Sequence, residues 1–474
     1  MTNLVLTVLL ALFGSDPARL IDWSKSGTGG RVELSRALSE ADLMHLASGA
    51  LVEALLLGRT ESKQVGDALD LYPLSLRGRP TPPRSLLALA RFPDAGLSPS
   101  QRSRRAFLAG QALLAASRPG EAIAQLAQVA PGSPAYAPGR YLLGVASATP
   151  PLNDLASAAR HFEAAIVEAE AAPMNGMTLV RDAWRLSTLN LARVAYEVGN
   201  YEVSLYYYQR LPWGSPERVE AAFEMAWANI MRGDMHRALG AVHAARAPGI
   251  LHPLRPELDL VSGAALMALC QYGRAKVELE RLDTAFLSQM DQVRSTLSRL
   301  DLNPEAGAGR ALLGPGSALP PRIRGLVRQT PAVRSALEAA RELADERKHL
   351  TAIEVSPGVN GAMIEALAEA LESTYGEAVD LAVRRALRTM SADAGRMSAA
   401  RAELMIDVLE DETKVLTTAI QEGQAKAAGP REVPTPALGE DWQQWSFDGE
   451  FWPDEAAWYR STLPSLCQGE EEHP

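Results

Sequence analysis

The sequence predicts an all-α protein: a solenoid of helical hairpins, then a long helical hairpin or coiled-coil-like segment, then an aromatic C-terminal tail. Ala, Leu, Glu and Arg, which lose little side-chain freedom in a helix, are abundant, whereas aromatic residues make up only 6%. Small and large apolar residues recur at helical spacing between residues 101 and 300. The 474 residues also exceed the length at which one compact core usually stops growing, so a repeat array or two or three domains is expected.

The N-terminal residues 1–14 have the length of a signal-peptide core. The run from Leu4 to Gly14 is almost entirely apolar, and it is shorter than the roughly 20 residues that a helix needs to span a bilayer. Gly14 and Ser15 offer small residues for cleavage, although no positive charge precedes the run. We therefore expect export and no membrane span in the mature chain. The alternative is the first helix of a cytoplasmic protein.

Residues 15–100 are interpreted as an N-terminal helical cap region. A loop rich in Ser and Gly comes first, and apolar residues then recur at three- and four-residue steps from Glu33 to about Gly58. This period predicts helix. A proline cluster interrupts the pattern, and a shorter helical stretch is expected from Arg84 to Arg91.

Five helix-turn-helix units can be aligned within residues 101–300. In each unit a small residue of the first helix is followed by a small residue of the second helix and, four positions later, by a large apolar residue. The sets are Gly110, Ala122 and Leu126; Gly144, Ala158 and Phe162; Ala192, Ser204 and Tyr208; Ala226, Ala238 and Val242; and Gly263, Ala275 and Leu279. Because two helices approach closely only where small residues face each other, each unit is predicted to pack as an antiparallel hairpin.

These units resemble the tetratricopeptide repeat family, which has a period of 34 residues. The first-helix small positions are spaced by 34, 48, 34 and 37 residues, and the third unit contains the turn Gly199-Asn200-Tyr201. The family's tryptophan near the start of each unit is mostly absent here. The resemblance covers about residues 100–285 and implies a curved stack whose concave groove holds a peptide or helix of another protein. The alternative is an irregular helical bundle.

The second half of the chain is divided by segments rich in Gly and Pro. Residues 301–331 are expected to form a linker. Residues 332–428 then carry narrow apolar stripes, the last of them Met397, Ala400, Leu404, Val408 and Val415, which favour a long helical hairpin or short coiled coil. Because Asp411 falls on a stripe position, a long uninterrupted dimeric coiled coil is not supported.

Residues 429–474 are interpreted as a linker and a Trp-rich tail. The tail either packs back on the helical body as a clasp or docks a partner, since Trp and Tyr dominate binding hot spots. It resembles the C-terminal motif of cell-envelope repeat proteins of gliding deltaproteobacteria. The matching positions are Trp445, Phe447, Gly449, Glu450, Trp452, Asp454, Glu455 and Tyr459. This resemblance implies a periplasmic or envelope location.

Composition argues against several functions. The formal net charge of −10 disfavours binding to a phosphate backbone. The two cysteines, Cys270 and Cys467, exclude a multi-cysteine zinc site, and a buried thiol at Cys270 is favoured over a bridge between them. The seven histidines form no His-Glu-x-x-His arrangement, and no phosphate loop or nucleophile elbow is present. We therefore expect no catalytic, cofactor or metal site.

The predicted function is that of a non-catalytic scaffold or adaptor that binds other proteins. Candidate partner-binding residues are Asn190, Arg193, Tyr196, Asn229 and Arg232 in the groove, and Trp445, Trp452, Trp458 and Tyr459 in the tail. Two alternatives remain open: a structural subunit of a motility, secretion or pilus machine, and an enzyme or sensor with its site in residues 332–428. The sequence leaves a homo-oligomer open.

Overall fold

The described part of the chain is entirely helical in its regular structure. The computed structural model describes residues 32–57 apart from 33, 37, 40 and 41, and then 62–76, 83–172, 178–246, 256–302, 307–349, 361–421 and 459–467. Within these ranges there is no β-strand. The all-α class predicted from the sequence is therefore confirmed, while the stacking of the hairpins into a solenoid stays a prediction.

The chain forms two compact units, and the first comprises residues Met1–Leu191, Asn303–Ser317 and Thr330–Ala386. Its early helices are α1 (Met44–Leu57), α2 (Ser62–Leu71), a 3-10 helix (Pro83–Arg91), α3 (Pro99–Ala115), α4 (Pro119–Leu126), α5 (Tyr136–Ala148) and α6 (Leu155–Ala171). Helix α3 packs on α4, α4 on α5 and α5 on α6, and α3 also touches α5. The expected helix from Arg84 to Arg91 is present in 3-10 form.

The second unit comprises residues Ala192–Leu302, Ala318–Gln329 and Leu387–Pro474. It contains α8 (Tyr201–Gln209), α9 (Pro216–Arg232), α10 (Met235–Ala245), α11 (Glu257–Ala268), α12 (Tyr272–Ala285), a 3-10 turn (Leu287–Gln289), α13 (Met290–Leu302) and α15 (Pro321–Gln329). Neighbours from α8 to α12 pack in order, and α9 also touches α11. Helices α7 (Thr178–Glu197) and α17 (Gly361–Gln421) contribute residues to both units.

The hairpins are held by the small and large residues that define the repeats. A Cβ built on Gly110 would lie less than 3.0 Å from the Leu126 side chain, and one on Gly263 would lie 2.9 Å from Cδ2 of Leu279. Ala226, which holds the same position in the fourth unit, is fully buried. A larger residue at the first two sites would have to displace the leucine side chain or push the second helix away.

An N-terminal helix of the first unit packs on helices that come about three hundred residues later in the sequence. Leu43 and Leu46 share a cluster with Leu343 of α16 (Pro331–His349) and with Leu367 and Tyr375 of α17. The Glu346 carboxylate accepts hydrogen bonds from the backbone N–H groups of His45 (2.8 Å) and Leu46 (3.0 Å). The start of α1 therefore packs on the helices that follow the predicted linker.

The segment 301–331 carries helices where a linker is expected. Helix α14 (Ala308–Ala311) is capped by Asp380, whose carboxylate accepts N–H groups of Gly307 (2.6 Å) and Arg310 (2.7 Å). Helix α15 begins at Pro321 and buries Ile323, Leu326 and Val327. Proline is tolerated in the first turn of a helix. A high content of Gly and Pro therefore does not by itself distinguish a loop from a segment of short helices.

The expected helical stripes of residues 332–428 fall on two helices. Helix α16 covers Pro331–His349, and the last predicted stripe, Met397 to Val415, lies on the long helix α17. Met397 and Val408 of the predicted stripe are buried, at 5% and 0% exposure. None of the described helices is long and apolar enough to cross a bilayer.

A candidate partner-binding cavity at helices α8, α9 and α10

Two left-handed glycines set the directions of helices α8 and α10. Gly199 (φ 78°) and Gly233 (φ 86°) end the preceding helices in a conformation that other residues adopt only with strain. The next residue caps the following helix in each case. The Asn200 side chain accepts the N–H of Val203 at 3.2 Å, and the Asp234 side chain accepts that of Arg237 at 2.9 Å. The predicted turn at Gly199 is therefore present and Gly233 makes a matching one, and the two turns place both second helices beside α9.

A cavity of about 180 Å³ lies between these three helices. Leu205 of α8, Met225 of α9 and Ala241 of α10 contribute apolar walls, and Tyr206 and Gln209 border the cavity from α8. Its volume suits one or two side chains of a partner rather than a whole helix.

Asn229, a predicted groove residue, lines this cavity as a buried amide. Its side chain is only 3% exposed, and its Nδ2 donates to the Met225 carbonyl at 2.8 Å. Its Oδ1 has no hydrogen-bond partner among the described residues. An unsatisfied buried carbonyl costs free energy, about 1–3 kcal/mol, so a donor that reached it would be bound favourably.

Charged groups stand at the edge of the cavity. Arg232, the second predicted residue found here, places Nη1 3.0 Å from both carboxylate oxygens of Glu202 and Nη2 3.1 Å from Asp234. Arg237 also lines the cavity and lies 3.5 Å from Asp234. The Glu202 side chain is 72% exposed, so its ion pair is screened by solvent and can exchange for a carboxylate of a ligand.

Arg193, also predicted to line the groove, instead links the first helices of two successive hairpins. Its Nη2 lies 2.6 Å from Glu224 and 2.5 Å from Glu220, both on α9. Burial by itself lowers the pKa of the Arg193 guanidinium, but the hydrogen bonds and charges of the two glutamates outweigh it and raise the pKa. Its main role in this structure is therefore to hold α7 on α9.

Tyr196 and Asn190 have intramolecular contacts of their own. The Tyr196 ring packs edge-on against the Tyr201 ring, with centroids 5.4 Å apart, and burial raises the pKa of its hydroxyl. In the first unit, Asn190 donates from Nδ2 to the Leu186 carbonyl at 2.8 Å. Neither residue lines the cavity, so of the five predicted groove residues only Asn229 and Arg232 meet there.

Residues of the second helices were missed by the sequence reasoning, which considered first-helix positions alone. Glu202 and Arg237 lie one turn after the two glycine turns and carry opposite charges. Those opposite charges, near the starts of the two second helices, were the available signal.

Residues 459–467 form a C-terminal strap that lies against α10, α11 and α12. The Ser461 N–H donates to the His236 carbonyl at 3.0 Å, and the Leu466 N–H donates to the Leu269 carbonyl at 2.9 Å. Leu463 packs in a cluster with Leu266 of α11 and Val408 of α17. This part of the tail packs back on the helical body, as one of the two interpretations predicts.

Tyr459, the one tail candidate within the described residues, belongs to the strap. Its ring contacts the His243 ring, with centroids 5.6 Å apart, and its carbonyl occupies the space where a Cβ on Gly240 would stand. It is half-buried by these contacts. The other tail candidates, Trp445, Trp452 and Trp458, lie outside the described residues, as do residues 1–14.

Cys270 and Cys467 are joined in a disulfide, with Cα atoms 5.1 Å apart. This corrects the expectation of a buried thiol at Cys270. The pairing follows from the strap: its hydrogen bonds to α10 and to Leu269 bring Cys467 to the end of α11, which the spacing of 197 residues could not reveal. No group of three or more His, Cys, Asp or Glu side chains within the described ranges is arranged to hold a metal ion.

The chain matches no protein-family model, and no curated protein matches it significantly.

Proposed function

We propose that this protein is a non-catalytic scaffold that binds a segment of another protein at the cavity between α8, α9 and α10. The observation that supports this most is the combination of apolar walls, a buried amide oxygen without a partner at Asn229, and two arginines at the edge. Such a site can take an apolar side chain and pair with a neighbouring acidic group. Tetratricopeptide-like stacking of the hairpins is part of the same proposal.

The preferred ligand follows from the charges. Arg232 and Arg237 bring two guanidinium groups to the edge, and guanidinium binds carboxylate through paired hydrogen bonds. Both arginines also pair with Asp234, whereas Glu202 competes for Arg232 only weakly because it is largely exposed. We therefore propose a peptide with an apolar residue next to Asp or Glu, or one ending in a C-terminal carboxylate.

The proposed location is the bacterial cell envelope. The disulfide between Cys270 and Cys467 supports it, because structural disulfides persist mainly in oxidising compartments. Export through residues 1–14 fits the same proposal. Mass spectrometry of the protein purified from its host tests both, by the mass of the N-terminal peptide and by alkylation of the two cysteines. A chain with intact residues 1–14 and two free thiols would contradict this location.

The binding proposal is tested by panning a random peptide library against the full chain. Enriched peptides are then measured by fluorescence anisotropy against wild type and against Ala241→Met, which fills the cavity, and Arg232→Gln, which removes the charge. We expect at least about tenfold weaker binding to both variants. Val167→Ser, at an exposed position of α6, is the matched control. Enriched peptides that bind the two cavity variants as tightly as wild type would refute the proposal.

A further inference from the structure

The last part of α17 carries a second apolar surface that the cavity does not involve. Ile406, Leu409, Leu416 and Ile420 are 55%, 47%, 58% and 67% exposed. Together with exposed Thr413 they recur at alternating steps of three and four residues, the pattern of the a and d positions of a heptad. We call these five residues the outer stripe. It extends over two heptads, about 21 Å of helix.

The opposite side of α17 is covered by its own unit. Val408 is fully buried, and the Arg401 Nε donates to the Leu279 carbonyl at 3.0 Å. Glu412 pairs with Lys276 of α12 at 2.8 Å. These contacts hold one edge of the helix against α12 and leave the outer stripe uncovered by any described residue.

The open edge of the outer stripe is acidic. Glu403, Asp407 and Glu410 follow one another at steps of four and three residues, so they lie along one line beside Ile406. All three are exposed, and the line continues four residues further with Lys414, whose charge interacts with that of Glu410. Exposed carboxylates therefore border the first part of the outer stripe, and this arrangement is complementary to a helix with basic residues along its apolar face.

We propose that the outer stripe docks a helix of another protein, one with Leu or Ile at heptad spacing and Lys or Arg along the border. A second copy of this chain fits less well, because it would bring another acidic row to the interface and no basic row to pair with Glu403, Asp407 and Glu410. An anionic lipid surface would likewise be repelled by the acidic row. This surface is independent of the cavity at α8, α9 and α10.

The test uses two synthetic three-heptad peptides with the same Leu and Ile residues at a and d. One carries Lys at e and g, and the other carries Glu. Fluorescence anisotropy with the full chain is expected to show saturable, salt-sensitive binding of the lysine peptide. The glutamate peptide should bind at least about tenfold more weakly. Equal binding of the two peptides would overturn the proposal, because the acidic row would then have no effect.

Substitutions then locate the site. The double substitution Leu409→Ser with Leu416→Ser should weaken binding of the lysine peptide at least about tenfold. The double substitution Glu403→Lys with Glu410→Lys should make the chain prefer the glutamate peptide. Val167→Ser is the exposed apolar control, and Ala241→Met should leave binding unchanged, which separates this surface from the cavity. If the lysine peptide bound the serine variant as tightly as it binds the wild type, the proposal would be wrong. The proposal would also be wrong if analytical ultracentrifugation showed that the wild-type protein is a dimer and the serine variant a monomer, since a second copy would then occupy the outer stripe.

Discussion

A Cβ built on Gly144 of α5 would lie less than 3.0 Å from the ring of Phe162 on α6. Both residues are buried, and Phe162 is only 1% exposed. The ring fills the space left by the missing side chain, so the separation of the two helices is set by these residues.

Gly144→Ala is therefore expected to destabilise the first unit, although alanine is the better helix former. Overpacking of this kind costs about 1–3 kcal/mol. Gly376→Ala on α17 is the matched control, because a Cβ there meets nothing within 4 Å. That change should instead stabilise the unit by about 0.5–1 kcal/mol. Urea denaturation followed by circular dichroism measures both, and a stabilising Gly144→Ala would show that the helices can separate at little cost.

Removing the disulfide should weaken the second unit. A disulfide closing a long loop typically contributes about 2–4 kcal/mol, so Cys270→Ser with Cys467→Ser is expected to lower the urea midpoint. Dithiothreitol should lower the wild-type midpoint to the same level and leave the variant unchanged. Equal urea midpoints for the oxidised wild type and the variant would mean that the noncovalent contacts of the strap stabilise the second unit without help from the disulfide.

Gly240→Ala should displace the strap. A Cβ at Gly240 would overlap the carbonyl of Tyr459, and backbone atoms cannot give way as a flexible side chain can. We expect faster amide hydrogen exchange at Ser461, whose N–H is bonded to His236. Gly273→Ala on α12 is the control, since nothing lies within 4 Å of its Cβ position. Unchanged exchange at Ser461 would count against this packing.

Glu346 should give the first unit a specific pH dependence. Burial raises the pKa of its carboxyl, although the N–H groups of His45 and Leu46 oppose that shift. Between the ordinary pKa and the raised one, the unfolded chain loses its proton first. The stabilisation is therefore present at low pH and is lost as the pH rises through the raised pKa.

The measurement is the free energy of unfolding of wild type minus that of Glu346→Gln, followed as a function of pH. This difference should be largest below about pH 4, decrease as the pH rises, and then level off. Glu338→Gln, at an exposed position of the same helix, is the control for losing a carboxylate from α16. A difference that increases with pH would show that the hydrogen bonds of Glu346 outweigh its burial.

The sequence by itself determined the helical class, the pairing of helices in hairpins such as α3 with α4 and α5 with α6, and the stripe of α17 in which Met397 and Val408 are buried. Gly110 with Leu126 and Gly144 with Phe162 could be matched because these contacts join helices that are adjacent in the chain. Periodicity records such contacts directly, since a helix that buries one face repeats its apolar residues every three or four positions.

Tertiary structure alone decided which distant segments meet. The disulfide joins Cys270 to Cys467, which are 197 residues apart, and Glu346 caps the distant helix α1. One cavity likewise brings together Asn229 and Arg232 of α9 with Glu202 of α8. Ile406 and Leu409 are spaced like buried residues, yet they are exposed, because α12 packs against another side of α17. The spacing of apolar residues in the sequence predicts which residues of a helix share a face. Contacts between elements that are distant in the sequence decide which of these faces are buried.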